Sequence, residues 1–121
     1  MNHFRALLAF GVGLGLSLGL AACSSDDAGG EAIAVTSGAT DCRVAQTTLA
    51  AGKHRFQVEN TGNQATEVYI YAPGDKVVAE KENVGPGTKA TFSATLAAGT
   101  YEIACKPGQT GAGIRQAITV T

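Results

Sequence analysis

The sequence predicts an all-β domain over residues 32–121. Thr, Val, Ile, Tyr and Phe recur in short alternating runs. Gly, Pro and Asn punctuate those runs, and no apolar stripe appears at helical spacing. The clearest strand is Lys89–Leu96: Ala90, Phe92, Ala94 and Leu96 share one face, and Lys89, Thr91, Ser93 and Thr95 share the other. Period-2 alternation of this kind marks a half-buried strand. The same reading gives strands at Ala32–Ser37, Thr47–Leu49, His54–Glu59, Thr66–Ala72, Val77–Glu80, Thr88–Leu96, Thr100–Cys105 and Gln116–Val120. Turns fall at Ala51-Gly52, Asn60-Thr61-Gly62, Pro73-Gly74-Asp75, Gly85-Pro86-Gly87 and Ala98-Gly99. Seven or eight short strands at this spacing form a β-sandwich or barrel.

The chain ahead of this domain reads as a targeting signal. His3 and Arg5 open it, and Ala6–Leu20 is an apolar run broken only by Ser17. A spanning helix needs roughly 20 apolar residues, so this run suits a signal peptide better than an anchor. Leu20-Ala21-Ala22-Cys23 follows and resembles the bacterial lipobox. The expectation is a signal peptide over 1–22, diacylglyceryl modification of Cys23, and a flexible polar linker over 23–31. Two acyl chains anchor a protein stably. The domain is then tethered on the extracytoplasmic face of the cytoplasmic membrane, in the periplasm or at the cell surface.

Composition narrows the function. Nine Lys and Arg stand against ten Asp and Glu, with no basic cluster, so nucleic-acid binding has no electrostatic support. From Cys23 onward the only histidine is His54, and methionine and tryptophan are absent. No Ser-His-Asp arrangement, nucleophile elbow or metalloprotease motif is present, and no enzyme activity is expected.

Tyr101-Glu-Ile-Ala-Cys105-Lys-Pro107-Gly-Gln109-Thr-Gly-Ala-Gly113-Ile114, followed by Ile118-Thr-Val120, resembles the C-terminal ligand loop of plastocyanin-like cupredoxins. Cys42 to Gly52 and Phe56-Gln-Val58-Glu-Asn60 resemble the start of such a domain. The resemblance implies a Greek-key β-sandwich. The ligand positions depart from the pattern: Glu67 stands where the first His would fall, and Gly108 and Ile114 stand near the second His and the Met. A type 1 copper site takes two His and a Cys, usually with an axial Met. One His and no Met cannot supply it, so no blue-copper site is expected.

A nearer resemblance is to the cupredoxin-like domain of EfeO, a bacterial envelope iron-uptake lipoprotein. It rests on Asp41-Cys42, Leu49 with Ala51-Gly52, Glu67, Val77 to Gly87, and Gly99 to Cys105. The match covers the cupredoxin-like part of such proteins, not their helical metallopeptidase-like part. It implies copper or iron held by Cys42, Glu67 and Cys105, with Glu102 a weaker candidate, and iron- or metal-uptake components as partners. Strand directions bring the start of the Cys42 segment, the start of the Glu67 strand and the end of the Cys105 strand to one pole. Cys105 shares inward parity with Tyr101 and Ile103, and Glu102 faces the other way.

A disulfide competes with the metal. Outside the cytoplasm disulfides persist, and with Cys23 lipidated an even pair remains. A Cys42–Cys105 bridge would close a loop of about 60 residues, worth about 4 kcal/mol by chain entropy. The protein would then hold no metal cofactor and serve as a disulfide-locked interaction or structural module. His54 lies at the opposite pole, Glu80 and Glu82 read as a solvated strand edge, and Gly108–Gly113 lacks the Lys of a phosphate-binding loop.

Overall fold

The computed structural model describes residues 31–121, so the expected signal peptide over 1–22 and the expected lipidation site Cys23 lie outside the described residues. No helix occurs among the described residues, and two sheets pack face to face. Strands β1 (Ile33–Ser37), β2 (Cys42–Val44), β4 (Gly52–Asn60) and β7 (Lys89–Leu96) form the first sheet, in the order β2-β1-β4-β7. The second contains β3 (Thr48–Leu49), β5 (Thr66–Ala72), β6 (Lys76–Val84), β8 (Gly99–Pro107) and β9 (Ile114–Val120), in the order β3-β9-β8-β5-β6. The all-β sandwich expected from the alternation is the observed architecture.

Period-2 burial builds the core between the sheets. Val35, Phe56, Val58, Val68, Ile70, Ile103 and Ile118 are almost fully buried. Phe92 stacks on Phe56 with ring centroids 5.3 Å apart. Along β7 the buried and partly buried positions are Ala90, Phe92, Ala94 and Leu96, the face the sequence assigns to the core. β4 and β7 pair antiparallel from Gly52↔Leu96 to Glu59↔Lys89, while β1 joins β4 in parallel.

Two elements depart from expectation. β2 spans three residues, too short to show alternation, and it takes the strand count to nine among the described residues. β6 runs to Val84 rather than ending at Glu80. Its polar second half gives no alternating signal because it is an edge strand, and its register against β5 shifts twice. Asn83, in the left-handed region at φ 55°, lies beside one of these irregularities. Bulges of this kind spoil an edge as a template for further strand pairing.

One buried polar side chain fixes the loops at the pole where β4 ends. Asn60 donates to the carbonyls of Gln64 (2.7 Å) and Val84 (2.9 Å), and its own side-chain oxygen accepts from the amide of Gly62 (2.9 Å). Alanine would strip three partners at a site 1% exposed. We expect Asn60→Ala to cost about 2–3 kcal/mol, because buried backbone groups lose their partners. For a domain of this size thermal denaturation should show a midpoint lowered by roughly 10–20 °C.

Candidate functional site

The pole bearing Asn60 also holds both domain cysteines. Cys42 opens β2 at the edge of the four-stranded sheet, opposite Ser37 of β1. Cys105 lies on β8 inside the five-stranded sheet, between Val68 of β5 and Ile114 of β9. Their sulfurs are bonded to each other, with Cα atoms 5.5 Å apart. The disulfide therefore stitches one sheet to the other and takes both thiols out of acid–base chemistry. Beside it Ser37 Oγ and Thr66 Oγ1 share a buried hydrogen bond of 2.8 Å.

Glu67 is not part of this cluster. The strand ends converge as expected, since Thr66 pairs with Pro107 and Cys42 with Ser37. Side-chain parity separates the groups. Thr66, Val68 and Ile70 turn to the core, so Glu67 turns outward, opposite Lys106. Glu102 also lies on the outer face, with Oε1 3.6 Å from Arg115 Nη1. Among the described residues no group of three or more His, Cys, Asp or Glu is placed to hold a metal ion. As bonded here, Cys42 and Cys105 offer no thiolate, and the residues implied by the resemblance do not form a metal site in this conformation. His54 caps the opposite end, its Nε2–H donating to the Ala50 carbonyl at 2.6 Å.

The outer face of the five-stranded sheet carries a second arrangement. Tyr69 and Tyr71 stack with centroids 5.5 Å apart. Lys106 Nζ sits 4.1 Å from the Tyr69 ring centre, and Arg115 Cζ 4.6 Å from that of Tyr71. Arg115 also donates to Asp75 at 2.6 Å, which holds the Asp75 carboxyl below its usual range. The Tyr69 hydroxyl lies 3.4 Å from Glu67 and 3.3 Å from Glu82, and its one proton can serve only one of them at a time. Desolvation first, then the carboxylates Glu80, Glu67 and Glu82, push the Tyr69 phenol well above the ordinary tyrosine range. The sequence places Glu67, Tyr69 and Tyr71 on one face, but only the β5–β8 and β8–β9 registers bring Lys106 and Arg115 over them. At the far end of this face, Tyr71, Pro73, Thr100, Tyr101 and Glu102 line a shallow hollow of about 270 Å³.

A two-sheet, all-β sandwich whose poles are closed by loops, with a cysteine late in the penultimate strand, defines the class of fold. The chain belongs to the cupredoxin-like domain family, whose model matches residues 10–114. Among curated proteins it is similar to the iron uptake system component EfeO of Yersinia pestis, 33% identical over 90 residues that make up 74% of this chain. The Escherichia coli K12 protein of the same name is 36% identical over 64 residues, or 53% of this chain. The chain spans 24% and 17% of the lengths of those two relatives. In fold it is similar to reduced auracyanin from Roseiflexus castenholzii, with a TM-score of 0.58 and 20% identity, covering 74% of this chain and 96% of that one.

Two measurements check this site. In urea unfolding, reducing the bridge should lower stability by about 4 kcal/mol, the value for a loop of this length. In an ultraviolet pH titration one tyrosine, Tyr69, should ionise above the others. The neutral phenol is the favoured folded form, so its contribution is present below the ordinary tyrosine pKa of about 10 and fades as pH rises through the raised value. Replacing Glu67 and Glu82 with Gln should lower that titration only in part, because desolvation and Glu80, the two largest causes, remain.

Proposed function

We propose that this chain is a non-enzymatic accessory module of the cell envelope that serves an iron- or copper-handling system. A lipid on Cys23 tethers it to the extracytoplasmic face of the cytoplasmic membrane. In the oxidised form it acts as a disulfide-locked interaction domain. The observation that carries this reading is the bond between Cys42 and Cys105, the two sulfurs the EfeO resemblance assigns to metal. Kinship to proteins named as iron uptake components supports the setting. Among the described residues no helix is long and apolar enough to cross a membrane.

A second reading concerns the reduced protein. The Cα atoms are 5.5 Å apart, so two thiolates released from this bridge would face each other across the pole. Two soft thiolates suit Cu(I), whereas the hard carboxylate of Glu67 suits iron or Cu(II) and stands on the other side of the sheet. Metal binding in this reading is gated by reduction.

One set of titrations separates the two. Oxidised protein should bind no Cu(I), and reduced protein one equivalent. Cys42→Ser or Cys105→Ser should each abolish most of that binding, while Glu67→Gln leaves Cu(I) affinity within about threefold. Copper-loaded protein should lack the intense blue thiolate-to-copper band. If reduced protein takes up no metal, the interaction module alone stands. Cys23→Ser should move the protein from the membrane to the soluble fraction, and continued membrane retention of that variant would overturn the tether.

A further inference from the structure

The two ends of the disulfide are held very differently. Cys42 is the first residue of a three-residue strand that pairs, among the described residues, with β1 alone. Its ladder to β1 consists of Val35↔Val44, Thr36↔Arg43 and Ser37↔Cys42. The next residue, Arg43, is 80% exposed in its side chain and ion-paired to Asp41 at the surface. Cys105 sits near the end of a nine-residue strand with hydrogen-bonded neighbours on both sides. It is 0% exposed, against 8% for Cys42. Gly113 packs over its backbone so tightly that an added Cβ would lie 3.0 Å from the Cys105 carbonyl oxygen. Local opening is easiest where few backbone pairings must break, so fluctuations expose the Cys42 sulfur first.

We propose that the bridge is opened from one side only: an external thiolate enters through edge strand β2 and attacks Sγ of Cys42, with Cys105 as the leaving sulfur. The attack forms a mixed disulfide on Cys42 and breaks the Cys42–Cys105 bond. The electron pair of that bond stays on Cys105, which takes a proton and is left as a buried thiol. If the attacker is a protein dithiol, its second thiol then attacks the mixed disulfide. That step releases Cys42 as a thiol and leaves the partner oxidised. In sum the bridge gains two electrons and two protons, and the partner dithiol supplies both. The reductase class that fits is a small protein dithiol able to seat against β2. Attack at Cys105 would instead require parting β8 from β5 or β9, in the middle of the core. The inference concerns the same cysteines as the proposed function but not metal binding, so its test follows the sulfur chemistry alone.

The chain carrying Cys23→Ser, so that only the bridged pair can react, is exposed briefly to reduced glutathione under native conditions. After acid quenching, alkylation and digestion, mass spectrometry assigns glutathione and alkyl label to each cysteine. We expect at least about tenfold more glutathione on Cys42 than on Cys105, the ratio given by a difference of about 1.4 kcal/mol in opening. In strong denaturant, where both sulfurs are equally accessible, the ratio should fall to about one. A thioredoxin-type protein reduced to a single active cysteine should likewise be trapped on Cys42. Equal labelling in the native protein, preference for Cys105, or exchange no faster than global unfolding would each overturn the proposal.

Discussion

A single covalent constraint, the Cys42–Cys105 bond, organises this small domain. The described core is largely aliphatic, with Phe56 and Phe92 stacked in it, so it has limited apolar area to set against chain entropy. The bond restricts the unfolded chain across 63 residues and joins the shortest strand of one sheet to an interior strand of the other. What surrounds it is arranged accordingly. The hydroxyls of Ser37 and Thr66 satisfy each other in the same pole, and Asn60 satisfies the loop carbonyls that the closing strands leave behind. Among the described residues no charged side chain is fully buried, which suits a site where an unpaired charge would be costly.

The opposite surface of the five-stranded sheet solves a different problem. A sheet face with no covering layer must be wet. Here the large rings of Tyr69 and Tyr71 are flattened against each other and capped by Lys106 and Arg115, whose charges stay hydrated at their outer edges. Glu67 contributes to this surface by accepting from the Tyr69 phenol. Its carboxylate gives the partly desolvated phenol a hydrogen-bond acceptor, a structural role for an acidic residue at the start of β5.

Much of this architecture is legible in the sequence. Alternation locates β5, β7, β8 and β9 because each turns alternate residues toward the core. It misses β2, where three residues cannot show a period, and it shortens β6, where both faces of an edge strand meet solvent. The outward position of Glu67 is also written in the sequence. Strand direction alone brings Glu67, Cys42 and Cys105 to one pole, and that part holds. Yet Val68 and Ile70 on the same strand already point to the core, so Glu67 at odd spacing from them must point away. Convergence of strand ends locates backbones, whereas parity decides which side chains meet. The cation–tyrosine ladder needed more, because cross-strand neighbours follow from register and a single strand's sequence does not contain it.

The loop between β8 and β9 shows how a fold of this family can do without the two His and the Met of its copper-binding pattern. The position near the second His is Gly108, which takes a positive φ of 75° in the turn and donates its amide to the Ala65 carbonyl at 2.8 Å. Near the Met position stands Ile114, packed against the core. Both help to close this pole of the sandwich. Cys105 alone keeps its place, fully buried, where a lone thiol would be inert and a lone thiolate costly. A metal with several ligands would resolve that burial in one way, and a bond to Cys42 resolves it in another. The second solution needs only one further residue, and that residue can lie on an edge strand because a covalent bond does not depend on the strand's own stability. With the sulfur paired covalently, the loop from Gly108 to Gly113 can consist of glycine turns and apolar packing without leaving a buried thiolate unpaired.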